Sequence, residues 1–239
     1  MGDSRIPVLA GGLGLLDSSP MVRTPGTTRA RTNATELHRT ELLLLVSGVV
    51  VLGVTALSVR DGYVSGAERS VFEWINGLPD GIYTPLAVIM QLGNLAAVLV
   101  LTVVALALRR YRLAIGIGLA GSAAYFISKV VKEMVDRGRP ADLLDDVEQR
   151  GAHASGLGYV SGHSAVAFAV VTVAALWLAP KARTALWILA ATVAFSRVYV
   201  GAHLPMDVVG GAALGAACGA VGRLLVGARR HGHQRVPEP

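Results

Sequence analysis

Residues 42–59 read LLLLVSGVVVLGVTALSV, 18 consecutive positions without a charge. A helix needs about 20 predominantly apolar residues to cross the hydrocarbon of a bilayer, so this stretch predicts a membrane-spanning helix. Outward from it the pattern repeats. Residues 81–108 are uncharged for 28 positions, which is long for one span, and Gly93-Asn94 divides them. The break predicts a short interfacial or re-entrant helix over 81–92 and a second span after it, closed by Arg109-Arg110-Tyr111-Arg112. The third expected span is 113–131, with Lys129 and Lys132 at its far end. The fourth is 163–179, followed by the tight turn Lys181-Ala182-Arg183, and the fifth is 184–199. The sixth, 205–226, opens on Pro205, which suits a first helical turn. Between the first two spans, Val71-Phe72-Glu73-Trp74-Ile75 is amphipathic and reads as an interfacial helix held by Trp74. The expected fold is all-α: a six-transmembrane-helix bundle over residues 41–226. A mobile N-terminal tail (1–40), in which Asn33 and Glu36 look like a helix start, precedes it. A short basic tail (227–239) follows.

The composition agrees. Of the 239 residues 53% are hydrophobic and 16% charged, with a mean hydropathy of +0.54. Soluble domains are about one-quarter charged, so a disordered chain and an ordinary cytosolic enzyme are both excluded. The apolar run at residues 6–16 is too short, and too poor in flanking basic residues, for a signal peptide. The lone Cys218 excludes an intramolecular disulfide and a cysteine-cluster metal site. In the sixth span Gly211, Gly215 and Gly219 form a stripe that lets another helix approach closely, with packing inside the bundle favoured over dimerisation.

Charge placement gives an orientation. Six spans put both termini on one side, which gathers 14 of the 22 Lys and Arg against 5 acidic residues; the other side carries 8 basic and 11 acidic residues. The basic side faces the cytoplasm by the positive-inside rule. The net charge of +6 is then largely topology and calls for no nucleic-acid partner. Arg outnumbers Lys 19 to 3, which hints at a GC-rich bacterial genome and hence a bacterial plasma membrane.

Three polar clusters remain, all on the non-cytoplasmic side. They are KEMVDRGRP at 132–140, Ser161-Gly162-His163, and SRVYVGAHLPMD at 196–207. Ionisable groups at helix ends inside a membrane are costly and usually functional. Arg139 and Arg197 can bind phosphoryl oxygens in forked fashion, and Lys132 adds a compact charge. Ser161 and the amides of Gly162 and His163 lie at a helix N-terminus, which favours anions. Asp207, four residues after His203, can hold one ring nitrogen and leave the other free to attack phosphorus. His163 is then available as general acid.

Lys-x6-Arg-Pro, Ser-Gly-His and Ser-Arg-x5-His-x3-Asp, in this order, resemble the three signature motifs of the type-2 phosphatidic acid phosphatase superfamily. The resemblance covers residues 80–226. It implies that His203 is a nucleophile forming a phosphohistidine, that Asp207 orients it and that His163 protonates the leaving group. It also implies that Lys132, Arg139, Ser161, Gly162 and Arg197 bind phosphate, without a metal or other cofactor. Val160 stands where the second motif usually has proline, which removes no catalytic group.

The reading is therefore a lipid phosphatase whose substrate is a membrane lipid phosphate: a polyprenyl diphosphate, phosphatidylglycerol phosphate or phosphatidate. Its site would open at the outer interface. Phosphotransfer to a lipid or sugar hydroxyl stays open, because the acceptor site is not in the motifs. An anion channel or transporter would need polar residues along the depth of the bundle. A vanadium-dependent haloperoxidase shares the motif pattern but not six apolar spans. Outside the motifs the plainer readings hold. Asp142, Asp145, Asp146 and Glu148 form a solvated acidic loop, His153 is a solvated loop histidine, and His231 and His233 sit in the basic tail. Trp177 and Trp187 read as interface anchors. The sequence gives no oligomeric state.

Overall fold

A computed structural model describes residues 25–151 and 155–227, with side chains of the first helix from Arg39 on. The described residues are helical and contain no strand. Helix α1 (Pro25–Ser58) leads through a 3-10 turn to α2 (Gly66–Asn76). Then come α3 (Tyr83–Ile89), extended by a 3-10 turn over Met90–Gly93, and α4 (Leu95–Ala107). Helix α5 (Tyr111–Val135) is followed by the single turn α6 (Pro140–Leu143). The described residues end with α7 (Gly162–Ala174), α8 (Pro180–Tyr199) and α9 (Pro205–Val226).

The helix starts at Pro25 and not at Asn33, so residues 25–40 of the segment read as a mobile tail belong to α1. The residues there are largely polar and lack the apolar periodicity that marks a helix in a sequence. The readings made on residues 1–24, on His153 and on residues 228–239, including His231 and His233, lie outside the described residues.

Three of the described helical segments are long and apolar enough to cross a membrane: Arg39–Ser58, Tyr111–Leu143 and Pro205–Val226. A fourth crossing is made if Asp80–Gly93 and Leu95–Ala107, bent by 66° at their break, act as one. Length therefore does not give six spans. Gly162–Trp177 is short, and α8 carries Lys181, Arg183 and Arg197 among its apolar residues. The break itself is where the sequence put it. Asn94 caps α4, its Oδ1 accepting from the Ala97 amide at 2.8 Å.

Helix α9 packs against α1, α5 and α7, and α8 lies against α7, α3 and α2. The outer faces of α1, α4 and α5 stay apolar and exposed, with Leu43, Val103 and Phe126 among them. A soluble protein rarely shows such faces; this is a membrane protein. The glycine stripe is used inside the bundle. A Cβ on Gly215 would meet the Ala165 carbonyl oxygen and the Ala169 amide of α7, and one on Gly211 would meet the Ser161 carbonyl. Helices α7 and α9 thus touch backbone to backbone, which fixes the two N-termini that carry the second and third motifs.

Helix α2 matches the amphipathic patch, with Phe72 fully buried and Trp74 68% exposed. Trp177 and Trp187 are partly buried, and Trp187 meets Phe168 at a tilt of 56° with ring centres 5.8 Å apart. They help pack the bundle as well as mark its edge.

Candidate active site

Five helix ends and the link between α8 and α9 meet at one end of the bundle. Lys132 comes from the last turn of α5 and Arg139 from the N-cap of α6. Gly162 and His163 open α7, and Arg197 closes α8. His203 sits in the five-residue link between Tyr199 and α9, whose Asp207 lies in the first turn. Gly162, His163, Lys132, Arg139, Arg197 and His203 line one cavity of about 190 Å³. Asn94, Tyr125, Ser128 and Lys129 line it too, and the motifs gave no sign of them. A second cavity of about 260 Å³ adjoins it through Arg139 and Arg197.

Two motif residues stand behind the cavity wall. Ser161 is fully buried as the N-cap of α7; its Oγ accepts from the Ser164 amide at 3.5 Å, and its own amide donates to the Asp207 carbonyl at 2.9 Å. Asp207 is likewise fully buried behind His203. The capping serine leaves the first amides of α7, at Gly162 and His163, at the cavity, where a helix N-terminus favours an anion.

Among the described residues no carboxylate pairs with any of the three cations. Lys132 Nζ donates to the Leu157 and Gly158 carbonyls at 2.7 and 3.0 Å. Arg139 Nε reaches the Ser155 and Gly156 carbonyls, and its Nη1 the Ala202 carbonyl at 2.7 Å. Arg197 Nη1 touches the Met90 thioether at 3.4 Å, and its Nε is buried with no hydrogen-bond partner among the described residues. Carbonyl dipoles aim such side chains but do not neutralise them. The result is a positive pocket fit for a polyanion.

His203 is 3% exposed. Its Nδ1 lies 3.5 Å from Asp207 Oδ2, longer than a good hydrogen bond, and makes no closer one among the described residues. Catalytic contacts often tighten only when substrate is bound. Burial pushes the His203 imidazole well below the usual histidine range, and Lys132, Arg197, Arg139 and His163 push it further. Both effects favour the neutral ring, the form able to act as a nucleophile.

The Asp207 carboxylate is fixed from two sides. Oδ2 accepts from the Leu204 amide and Oδ1 from Arg137 Nη1, both at 2.8 Å. Arg137 is completely buried and also grips Glu68 of α2. Neither residue stands out in the sequence. Arg137 hides inside the first motif's variable stretch, and its partner lies far upstream. Two arginines flanking one glycine were the available signal, since only one can face the cavity.

Among the described residues no group of three or more His, Cys, Asp or Glu is placed to hold a metal ion. Asp142 accepts from the Arg139 amide at 2.8 Å and so caps α6. Asp145, Asp146 and Glu148 are exposed.

The family model of the PAP2 superfamily matches residues 111–231. No curated protein matches the chain. Two crystal structures share its fold. LpxE of Aquifex aeolicus is 23% identical with a TM-score of 0.63, the match covering 68% of this chain and 98% of that one. The transmembrane PAP2-type phosphatidylglycerolphosphate phosphatase of Bacillus subtilis is 24% identical with a TM-score of 0.61, over 75% of this chain and 94% of that one.

Proposed function

The chain belongs to the PAP2 superfamily and is a membrane lipid phosphatase; from that premise we propose that it hydrolyses a lipid phosphate ester or diphosphate through a phosphohistidine on His203. The observation that carries this is the Asp207-backed imidazole of His203 on the wall of a cavity that also presents Lys132, Arg139, Arg197 and His163.

The substrate phosphate enters the cationic pocket, with Arg139, Arg197, Lys132 and the α7 amides taking its oxygens. The free ring nitrogen of His203 bonds to phosphorus while the bond to the leaving oxygen breaks. His163 gives its proton to that oxygen, and the bound phosphate supplies the negative charge beside which His163 carries it. Water then attacks the phosphohistidine with His163 taking back a proton, and inorganic phosphate leaves. Asp207 keeps the His203 tautomer and balances the ring's positive charge. Ser161 supports the site as the cap of α7. No metal takes part.

Residues 41–226 form the catalytic membrane domain, with six helices crossing or lining the bilayer and both termini in the cytoplasm of a bacterial plasma membrane. The site opens on the outer face, where a lipid keeps its tails in the bilayer and presents its head group. A polyprenyl diphosphate, phosphatidylglycerol phosphate and phosphatidate are the favoured substrates.

The test is phosphate release by purified protein in detergent with EDTA, over those three lipids, with His203→Ala as control. Release from one lipid, absent in the variant, is expected. Phosphate released only after a lipid or sugar acceptor is added would replace hydrolysis by transfer, and equal release by His203→Ala would remove the nucleophile assignment.

A further inference from the structure

Among the described residues Arg137 is the largest fully buried side chain, and it sits behind the site, not in it. Its Nη1 donates to Asp207 Oδ1 at 2.8 Å and to Glu68 Oε1 at 3.1 Å. Its Nη2 donates to Glu68 Oε2 at 2.8 Å and to the Tyr63 carbonyl at 2.9 Å. Glu68 is itself anchored: its Oε1 accepts from the Met206 amide at 2.9 Å, and its own amide donates to Ser65, the cap of α2. A buried guanidinium needs one carboxylate to balance it. This one has two, so the Glu68–Arg137–Asp207 cluster carries one negative charge in excess.

That excess faces His203. Lys132 from α5, Arg139 from the α6 cap, Arg197 from α8 and His163 from α7 bring positive or neutral groups to the ring, and Asp207 from α9 brings the negative one. When the free nitrogen of His203 bonds to phosphorus and the leaving oxygen departs with the proton of His163, the ring still carries its Nδ1 proton and becomes cationic. A negative cluster directly behind it stabilises that state and the path to it.

We propose that Glu68 and Arg137 are positioning residues of the catalytic centre, which act through Asp207 to hold the His203 imidazole in its Nδ1–H tautomer and to lend it the cluster's surplus negative charge. Helix α2 is on this view part of the catalytic apparatus as well as an interfacial helix. The inference rests on the assignment of His203 as nucleophile.

Glu68→Gln keeps the shape of the side chain and removes its charge, and Arg137→Lys keeps the charge and removes the fork. Each is measured alone and on an Asp207→Asn background, with the lipid of the panel that the wild type turns over fastest. Outer partners of a catalytic group are commonly worth about ten- to hundredfold in activity. We expect kcat to fall by that order in each single variant with KM within about threefold, and the effect to shrink below about threefold once Asp207 is already Asn. A wild-type kcat, a change confined to KM, or a full effect on the Asp207→Asn background overturns the proposal. Failure of both variants to give folded, monodisperse protein in detergent, where Asp207→Asn does so, assigns the pair to stability and overturns it too. A second readout needs no turnover. In ¹⁵N-histidine NMR, with His203→Ala identifying the signal, the wild type shows one His203 tautomer and Glu68→Gln a mixture; an unchanged tautomer in both variants refutes the positioning role. Absence of phosphate release by the wild type, or activity in His203→Ala, refutes the underlying assignment instead, and the NMR arm still decides whether the cluster sets the ring.

Discussion

At one end of the bundle Arg223 meets Glu41 at 3.1 Å and donates to the Thr172 carbonyl. At the other end Lys132, Arg139 and Arg197 meet backbone carbonyls and a thioether. Both ends bury arginine, and the difference lies in what balances it. Arg223 is matched within the fold, so its charge serves cohesion between α1, α7 and α9. The site cations are aimed and left uncompensated, which costs stability that a binding pocket recovers only when an anion arrives. Arg137, two residues from Arg139, is of the first kind placed among the second: it spends its charge on Asp207 and Glu68. Pairing, more than position, separates the cations that hold the fold from those that await substrate.

The contrast breaks most sharply at the reacting ring. His203→Ala is expected to abolish turnover with the protein still folded, checked by phosphate release beside thermal unfolding in detergent. Asp207→Asn should slow kcat by roughly a hundred- to ten-thousandfold, the effect expected when a base loses its orienter; an unchanged rate would leave Asp207 as a helix cap alone. The two ends can then be set against each other. Arg197→Gln should cut kcat/KM by about a hundredfold or more without lowering the melting temperature, since it removes a charge with no carboxylate of its own. Glu41→Gln should do the reverse, leaving kcat/KM unchanged and costing about 3–5 kcal/mol of stability, as breaking a buried pair does. If both variants fall in activity alone or in stability alone, the distinction between the ends is gone. Gly215→Ala is the smaller probe. Its new Cβ meets α7 backbone, and overpacking of this kind costs about 1–3 kcal/mol. Gly53→Ala, which meets nothing within 4 Å, is its neutral control.

The pH profile gives the finest test. Burial and the surrounding cations disfavour the protonated form of His203, so the neutral, attacking form persists on the acid side. The His203 limb of kcat/KM should therefore lie well below the ordinary imidazole pKa of about 6.5. A limb at or above that value, lost in Asp207→Asn, would mean that the carboxylate outweighs the cations in the free enzyme.

Much of this was readable in the sequence because it depends on short-range spacing. His203 and Asp207 are four apart across a helix start, and Ser161, Gly162 and His163 are consecutive at another. Asn94 after Gly93 announced the bend between α3 and α4. What escaped the reading depends on contacts between distant segments. Glu68 lies outside the motifs, and nothing near it in the chain indicates that it faces Arg137. Ser161, placed among the phosphate ligands, lies behind the wall because its hydroxyl caps α7. The onset of α1 at Pro25 escaped for the opposite reason: its first turns carry no apolar face to mark them.

Glu68 and Met206 also set an order of assembly. They are separated by 138 residues, and the pair Glu41–Arg223 by 182. During synthesis at about 5–20 residues per second, a ribosome needs on the order of ten seconds to deliver Met206 after Glu68. Until the last helix is inserted, Glu68 and Arg137 have each other but neither Asp207 nor the Met206 amide, and neither end of the bundle is closed. The final helix is the clasp of the molecule. A chain that stopped before it would hold the residues of two motifs in the membrane and possess no site at all.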